Sequence, residues 1–327
     1  MATISVDCEV GTKITCPVMG KIECIYDREQ SNEPTLKHGR SGPQFLAVSR
    51  FAQEFMAATM AGIVFSFTGK IDGTCTLVKD GQMFKRRDLK DLSNVPAKWF
   101  QTANEINGHF IGFMPLEQGD PHLMCHPLRD GVEPTTRNLK NPESYDLSRV
   151  RALFLVDGSM QMKIVLTESL DGKTVEVVGP KLNNNSHGLE FHCVIPHGEI
   201  EIPKEQFLDL VSAVTEQTAD TTETTETADV TERPILDEIK NWFLTSKMGP
   251  FLEGIVIHFE NGQMFKLHRE HLGLPWAKLP KEHEIIKAAQ NPDHPLNKLY
   301  REEPDFPRLG DSRVGNFIPR LENLIVQ

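Results

Sequence analysis

The chain has 327 residues, of which 39% are hydrophobic and 25% charged, and its formal net charge is −11. Such a composition is typical of a globular protein, and the length allows one large or two ordinary domains. The chain has no apolar run long enough to cross a membrane, and its acidic start does not resemble a signal peptide. We therefore expect an intracellular, cytoplasmic protein.

Strand and hairpin patterns dominate the sequence in chain order. Short β-like runs occupy residues 4–26, a polar loop is predicted at 31–43, and the spacing of Phe45, Val48, Phe51 and Phe55 predicts a helix over 45–60. Further strands are predicted at 63–68, 74–78, 150–156, 162–168 and 174–178, and helices at 204–214 and 234–246. The pattern indicates an α+β fold with mainly antiparallel sheets and flanking helices.

The negative charge is concentrated in one part of the chain. Residues 216–239 contain eight acidic residues and one basic residue. The Thr/Glu/Ala-rich part, residues 215–232, has too few apolar side chains to offset the entropy of ordering, so we expect a flexible acidic insertion. The remainder is only mildly acidic, which leaves room for a local basic groove and a nucleic-acid partner.

The six cysteines contain no Cys-x-x-Cys pair, so the sequence indicates neither a zinc knuckle nor a disulfide framework. Scattered, unpaired cysteines of this kind are typical of proteins in a reducing compartment. His122, Cys125 and His126 form a local cluster of ligand-type residues, but no second ligand pair follows at zinc-finger spacing. A metal role for this cluster is therefore disfavoured.

Two hairpins have similar sequences, residues 73–85 and 254–266, with Asp80-Gly81 and Asn261-Gly262 as their turns. Such dipeptides favour a two-residue type I′ turn, which fixes the strand register. For the second hairpin this register predicts Ile257 opposite Lys266 and Ile255 opposite His268. It also places Glu253 on the same face of the sheet.

The tetrapeptide Lys70-Ile-Asp-Gly73 lies between two predicted strands. A lysine close to a carboxylate and a glycine is what a covalent nucleotidyltransferase needs to carry a nucleotide on a side-chain nitrogen. Patterns this short recur by chance, and an exposed turn at a strand end would explain it equally well. The assignment as a nucleotidyltransferase motif therefore depends on the presence of the other residues that this chemistry requires.

Four blocks in chain order resemble motifs I, III, IV and V of the ATP-dependent polynucleotide ligases: Lys70-Ile-Asp-Gly73, Glu176-Val-Val-Gly-Pro180, Glu253-Gly-Ile-Val256 and Lys266-Leu-His-Arg269. Within that superfamily the chain resembles the animal-type 5′-to-3′ RNA ligases, the RNA ligase 1 family, over residues 20 to 280. The resemblance implies a nucleotidyltransferase, ATP-grasp-like ligase fold. It also implies an N-terminal extension over 1–40, an adenylyltransferase domain over 41–280 and a C-terminal extension of unassigned role over 281–327.

The resemblance also implies the site residues. The residues implied for catalysis are Lys70, Asp72, Glu253 and Lys266. Of these, Asp72 and Glu253 would hold Mg²⁺, with Mn²⁺ as an alternative. The residues implied for nucleotide binding are Lys70, Arg86, Glu176, Glu253, Lys266 and His268, with Glu176 on the ribose. The cofactor would be ATP, and the partner an RNA with a 5′-phosphate and a 3′-hydroxyl.

Two assignments stay open in the sequence. Family similarity favours Arg86 as the arginine that follows motif I, whereas strand parity across the Asp80-Gly81 turn favours Arg87. Phe191 and His192 are both candidates for stacking on adenine, although ordinary strand packing explains them equally well.

The predicted chemistry requires a neutral Lys70. A free lysine has a pKa near 10.4, so only about one in a few thousand is uncharged at pH 7. We expect nearby Lys266 and a bound divalent cation to disfavour the ammonium form. The carboxylates of Asp72 and Glu253 are hard oxygen ligands suited to Mg²⁺.

Two departures from the superfamily pattern qualify the prediction. DNA ligases and capping enzymes usually carry arginine where this chain has Cys75, which favours the RNA-ligase branch. The second lysine of motif V is replaced by His268. The alternatives are an RNA-capping guanylyltransferase or DNA ligase of the same superfamily, and a non-catalytic nucleotidyltransferase-like binding protein.

Overall fold

The computed structural model describes residues 18–37, 40–60, 65–106, 108–156, 159–187, 189–207, 228–246, 248–249, 252–274, 289–293, 297, 301 and 325–326. The described part is an α+β structure that consists mostly of strands. The strands are β1 Glu23–Cys24, β2 Tyr26–Lys37, β3 Arg40–Phe51, β4 Phe65–Lys70, β5 Thr74–Lys79, β6 Gln82–Arg86, β7 Phe100–Ile106, β8 His109–Pro115, β9 Arg149–Val156, β10 Ser159–Leu166, β11 Thr174–Val178, β12 Cys193–Pro196, β13 Glu201–Ile202, β14 Gly254–Phe259, β15 Met264–His268 and β16 Ile325–Val326.

These strands form three sheets. A five-stranded sheet has the order β1-β15-β14-β4-β13, a nine-stranded sheet has the order β16-β10-β9-β12-β11-β5-β6-β8-β7, and β2 pairs with β3 alone. Among the pairings, β1–β15, β10–β16 and β12–β9 are parallel and the others are antiparallel. The predicted α+β class with mainly antiparallel sheets is therefore confirmed.

Among the described residues, α-helices span Gln53–Met60 (α1) and Ala228–Thr245 (α2), and residues 289–290, 297 and 301 are also helical. Short 3₁₀ turns occupy Pro121–Cys125, Asn138–Lys140, Pro142–Ser144, Thr167–Leu170, Asn183–Asn185, Lys204–Phe207 and Arg269–Leu272. No helix in the described ranges is both long and apolar enough to cross a membrane.

The prediction was wrong between residues 31 and 51. The expected polar loop at 31–43 and the first part of the expected helix at 45–60 form the long β2–β3 hairpin instead. Strand pairing here supplies the backbone hydrogen bonds, so tertiary context overrides the local helical spacing. Only the C-terminal part of the predicted helix, α1, is helical.

The helix predicted at 234–246 is present, and it already includes residues 228–232, the last part of the segment expected to be a flexible acidic insertion. Ile239, Trp242 and Phe243 are buried in the core. Packing of these residues stabilises the C-terminal part of α2. Once a helix has formed, its extension by a further residue costs little free energy. Of the helix predicted at 204–214, the Lys204–Phe207 turn is described; residues 208–227 lie outside the described residues.

The two similar hairpins have different turns. In the first, Thr76 pairs with Lys85 and Lys79 with Gln82, so Asp80 and Gly81 form the predicted two-residue turn, with φ values of 52° and 68°. In the second, Ile257 pairs with Phe265 because the loop has three residues, from Glu260 to Gly262. The predicted register of this hairpin was therefore wrong by one residue.

The link between β4 and β5 crosses from the five-stranded to the nine-stranded sheet. β4 ends at Lys70, β5 begins at Thr74, and only Ile71, Asp72 and Gly73 lie between them. The tetrapeptide singled out in the sequence thus occupies the junction of the two large sheets.

Helix α1 packs against the hairpin β14–β15. Phe55 is fully buried, and its ring contacts those of Phe259 and Phe265 edge-on, with centroids 6.1 and 5.3 Å apart. Edge-to-face aromatic contacts of this kind add to the stability gained from burial. The hairpin that carries Lys266 is therefore anchored in the core.

We predict that Phe55→Ala lowers the free energy of unfolding by about 3–5 kcal/mol, because the cavity cannot be refilled in a packed core. The matched control is Leu244→Ala on α2, where the side chain is 44% exposed and the expected change is within about 0.5 kcal/mol. Chemical denaturation of both variants measures the difference. Equal stabilities would contradict the role given to Phe55.

Candidate active site

A cavity of about 620 Å³ lies at the junction of the two large sheets. Its volume falls within the range of small-molecule binding sites. The walls come from β4, β14 and β15 on one side, from β5, β6 and β11 on the other, and from residues 18–22 of the N-terminal segment. Predicted site residues in the wall are Lys70, Arg86, Glu176, Lys266 and His268.

Lys70 and Glu253 form an ion pair at this cavity. Lys70 Nζ lies 2.5 Å from Glu253 Oε2, and the two side chains are 24% and 18% exposed. Burial acts to lower the pKa of Lys70, but Glu253, Glu176 and Asp72 outweigh burial and hold that pKa above its ordinary value. Burial acts to raise the pKa of Glu253, but the charges of Lys70 and His268 lower it to about 2. Without a ligand, the expected nucleophile is therefore a charged ammonium.

Strand pairing in the five-stranded sheet places Lys70 and His268 in one row and Lys266 two rows away. Lys70 pairs with Gly254, which pairs with His268, and in the next row but one Val256 pairs with Lys266. A Cβ atom on Gly254 would overlap the carbonyl oxygen of Leu267. Close packing at this point therefore explains the glycine of the Glu-Gly-Ile-Val block.

Glu253 itself precedes β14 and is positioned by backbone contacts. Its N–H donates to Lys70 O at 2.9 Å, and its carbonyl accepts from Arg269 N–H at 2.9 Å. Arg269 is buried, contacts Gly249 O, and lies over the Phe243 ring at 5.4 Å. The loop before β14 is thus tied to the end of β15, which holds Glu253 beside Lys70.

In the nine-stranded sheet, Arg86, Cys75 and Glu176 share one face. Cys75 pairs with Glu176, and the hairpin register brings Arg86 opposite Cys75. Arg86 Nε donates to Asp88 Oδ1 at 2.9 Å, whereas Arg87 points to Met114 Sδ at 3.7 Å. Of the two arginines considered in the sequence, the structure places Arg86 in the cavity wall.

Glu176 belongs to a hydrogen-bond chain. Its Oε1 accepts from Gly73 N–H at 3.0 Å, and its Oε2 lies 2.9 Å from His197 Nε2. His197 Nδ1 lies 2.8 Å from Thr174 Oγ1. A Cβ on Gly73 would come within 2.5 Å of Val177 O, so the glycine of the Lys-Ile-Asp-Gly tetrapeptide allows the junction to pack against β11.

Asp72 is buried, is not among the residues that line the cavity, and accepts hydrogen bonds from the turn that follows β11. Asn183 Nδ2 donates to its Oδ1 at 3.0 Å, Ser186 Oγ donates to its Oδ2, and its backbone N–H donates to His187 Nε2 at 3.2 Å. These contacts hold the junction in place. The metal contact expected for Asp72 stays a prediction.

The two departures from the superfamily pattern both lie at the cavity. Burial and the charge of Glu176 raise the pKa of the Cys75 thiol to about 12, so it is not a nucleophile near neutral pH. His268 Nδ1 lies 3.7 Å from one oxygen of Glu253 and 3.7 Å from one of Glu270. Burial lowers the pKa of His268, so this position does not supply the permanent charge of a lysine.

Several cavity residues were missed by the sequence motifs. Thr68, His197 and His258 line the wall, and Thr68 Oγ1 lies 2.7 Å from His258 Nε2. The available signal for His258 was its position two residues after Val256 of the Glu-Gly-Ile-Val block, which places both side chains on one face of β14. Residues 18–22 carried no recognisable pattern.

Other candidates lie elsewhere. Phe191 packs on the core, and His192 Nε2 accepts from Lys181 N–H at 3.1 Å, so neither adenine candidate is in the cavity wall. Within the described ranges, the group of ligand-type side chains close enough to hold a metal ion is His268, Glu270 and His271. It does not include the cluster of His122, Cys125 and His126.

Comparison with known proteins agrees with the resemblance seen in the motifs. A family model described as RNA ligase 1 matches residues 224–291. The chain is 25% identical to RNA ligase 1 of Pongo abelii over 311 residues, which cover 79% of this chain and 82% of that protein. It is 24% identical to RNA ligase 1 of Mus musculus over 314 residues and 23% identical to that of Danio rerio over 308 residues, with the same coverage. The chain is therefore similar to RNA ligase 1 proteins over most of its length.

The Lys70–Glu253 pair predicts a measurable coupling in stability. Lys70→Met leaves Glu253 as a partly buried, unpaired charge. We therefore expect the free energy of unfolding at pH 7 to be about 2–4 kcal/mol lower than that of the wild type. The double variant Lys70→Met/Glu253→Gln should recover most of this loss. Denaturation of the wild type, both single variants and the double variant gives the coupling energy.

The pH dependence of these variants has a definite sign. Because the folded-state pKa of Glu253, about 2, is below the ordinary value of 4.5, its contribution is present above pH 4.5 and is lost as the pH falls through 2. In Lys70→Met the positive charge that opposes the effect of burial is removed, so burial raises the pKa of Glu253. The free energy of unfolding of this variant should therefore fall as the pH rises from about 4 to about 7. Additive single-variant losses and unchanged pH profiles would show that the pair does not form.

Proposed function

We propose that this chain is an ATP-dependent RNA ligase that works through a covalent lysyl-AMP on Lys70. The proposal rests on one observation above all: the four separated motifs meet around one cavity, with Lys70 in its wall and Glu253 paired to it. Similarity to proteins named RNA ligase 1 supports RNA as the substrate. In this proposal the chain has the nucleotidyltransferase ligase fold.

In the first step, neutral Lys70 Nζ attacks the α-phosphorus of ATP. A nitrogen–phosphorus bond forms, the bond from that phosphorus to the bridging β-oxygen breaks, and pyrophosphate leaves with the bonding electrons. The proton of Nζ passes to solvent. Because Glu253 favours the charged form of Lys70, the ion pair must break before attack.

Cavity residues would hold the nucleotide during this step. Lys266, two strands away from Lys70 in the same sheet, would contact the α-phosphate. Glu176 would bind the ribose hydroxyls, with His197 fixing its carboxylate. Arg86 and His268 complete the proposed nucleotide contacts. Such transfer depends more on positioning and charge neutralisation than on acid–base catalysis.

The residues present fit a divalent cation. Glu253 offers carboxylate oxygens next to two cavity-lining side chains, Lys70 and His268, and ATP phosphates would supply further oxygen ligands. When bound, Mg²⁺ or Mn²⁺ would neutralise charge on the triphosphate and on the departing pyrophosphate. Asp72 is the second predicted ligand.

In the later steps, an oxygen of the RNA 5′-phosphate attacks the lysyl-AMP phosphorus and displaces Lys70 Nζ, which regains a proton. The RNA 3′-hydroxyl then attacks the activated 5′-phosphorus and loses its proton to solvent. A phosphodiester bond forms and AMP leaves. The positive side chains of Lys70, Arg86 and Lys266 give the cavity local positive charge despite the net charge of −11.

We predict that Lys70→Arg and Lys70→Ala both abolish self-adenylylation. Arginine keeps the positive charge but stays protonated, so it cannot attack phosphorus. The measurement is protein-bound label after incubation with α-labelled ATP and Mg²⁺, and Lys90→Arg, an exposed position, is the matched control that should retain the label.

Three outcomes, from this assay and from matching assays with GTP and with nicked DNA, would contradict the proposal. Label retained by Lys70→Ala would reject Lys70 as the nucleophile. Transfer of GMP from GTP in place of AMP would indicate the capping class, and sealing of nicked DNA without activity on RNA would indicate a DNA ligase.

A further inference from the structure

Residues 18–22, which we call the N-terminal strap, form part of the cavity wall. Val18, Gly20, Lys21 and Ile22 all line the cavity, although they precede motif I by about fifty positions in the sequence. None of them belongs to the motifs that carried the family resemblance.

One end of the strap is hydrogen-bonded to the nine-stranded sheet. Val18 N–H donates to Thr174 Oγ1 at 2.7 Å, Thr102 Oγ1 donates to the carbonyl of Met19 at 2.8 Å, and an Arg86 N–H donates to Gly20 O at 3.2 Å. Thr174 Oγ1 also contacts His197, which in turn contacts Glu176. The strap is therefore connected to the carboxylate proposed to bind the ribose.

The other end of the strap joins the five-stranded sheet. Directly after the strap, β1 pairs with β15 in parallel, with Cys24 opposite Lys266, and Ile25 N–H donates to Lys266 O at 3.1 Å. The strap thus runs from one large sheet to the other along one side of the cavity, and it leads directly to the strand beside Lys266.

The strap brings a cation into the cavity wall. Lys21 Nζ lies 3.9 Å from Asp88 Oδ2, which is at the outer limit of an ion pair, whereas Arg86 Nε contacts the same carboxylate at 2.9 Å. The Lys21 side chain is 30% exposed. A long, partly exposed pair of this kind contributes little energy, so turning Lys21 toward a ligand costs little.

The position of the strap relative to Lys70 indicates which group Lys21 can reach. In the order β1-β15-β14-β4, the strand following the strap and the strand carrying Lys70 are three inter-strand spacings apart, or about 14 Å. Attack on phosphorus requires the leaving group to lie in line with the nucleophile on the far side. The pyrophosphate of ATP would therefore be directed away from Lys70, and the strap is a part of the cavity wall that lies at a distance from Lys70.

We propose that the N-terminal strap forms the triphosphate subsite of the cavity and that Lys21 binds the β- and γ-phosphates of ATP. The inference rests on the proposed function. It adds a binding residue that acts only while the triphosphate is intact, because the lysyl-AMP has lost both of those phosphates.

The test separates the ATP-dependent step from the final sealing step. Lys21→Ala, Lys21→Arg and the exposed control Lys90→Ala are compared with the wild type in two assays. The first is the rate of self-adenylylation as a function of ATP concentration. The second is the sealing of pre-adenylylated RNA without ATP. Equilibrium titrations with ATP and with AMP accompany both, and thermal melting checks folding.

Because Lys21→Ala removes a charge-assisted hydrogen bond to phosphate, it should lower kcat/KM for ATP by roughly 10- to 100-fold. The affinity for ATP should fall in the same variant. AMP binding and sealing of pre-adenylylated RNA should stay within about twofold of the wild type, because neither involves the β- and γ-phosphates of ATP. Lys21→Arg should recover most of the loss and Lys90→Ala should show none.

Unchanged self-adenylylation and ATP binding in Lys21→Ala would overturn the inference. Equal losses in both assays would also overturn it, and would indicate an RNA contact or a general structural role. Absence of AMP transfer in the wild type would instead reject the proposed function. A Lys21→Ala protein that melts early is replaced by Lys21→Gln, which keeps most of the side-chain length and the polarity of the position.

Discussion

The crossing of the chain between its two large sheets is the constraint on which the site depends. Only three residues join the end of β4 to the start of β5, so Lys70 must lie where the five-stranded and nine-stranded sheets meet. Gly73 allows this junction to pack against β11, and hydrogen bonds to Asp72 hold it from behind. The cavity lies at this junction, and each of the two sheets contributes one wall.

The ion pair of Lys70 and Glu253 explains how the site can be stable and still be reactive. Two opposite charges compensate each other at a partly buried position, which leaves the lysine protonated in the ligand-free protein. From the sequence we expected Lys266 and a cation to favour the neutral amine. The structure adds that neighbouring carboxylates act more strongly in the opposite direction, so activation must come with ligand binding.

Local patterns predicted the strands of the junction, the first hairpin and the C-terminal part of α2. Apolar periodicity indicates strands and helices directly, and turn dipeptides indicate the hairpin. They failed for β2–β3, where pairing overrides helical spacing, and for the second hairpin, where the Asn-Gly dipeptide sits in a three-residue loop. Motif order predicted which residues line the cavity at Lys70, Glu176 and Lys266. It could not predict Thr68, His197, His258 or the N-terminal strap, whose positions follow from pairing between distant strands.

The most direct test of a covalent lysyl-AMP is the mass of the wild-type chain after incubation with ATP and Mg²⁺ in the absence of nucleic acid, followed by peptide mapping. We predict a gain of one AMP, located on Lys70 and removed when pyrophosphate is added, since the first step is reversible. An unmodified chain, or AMP attached to a residue outside the cavity, would contradict this mechanism.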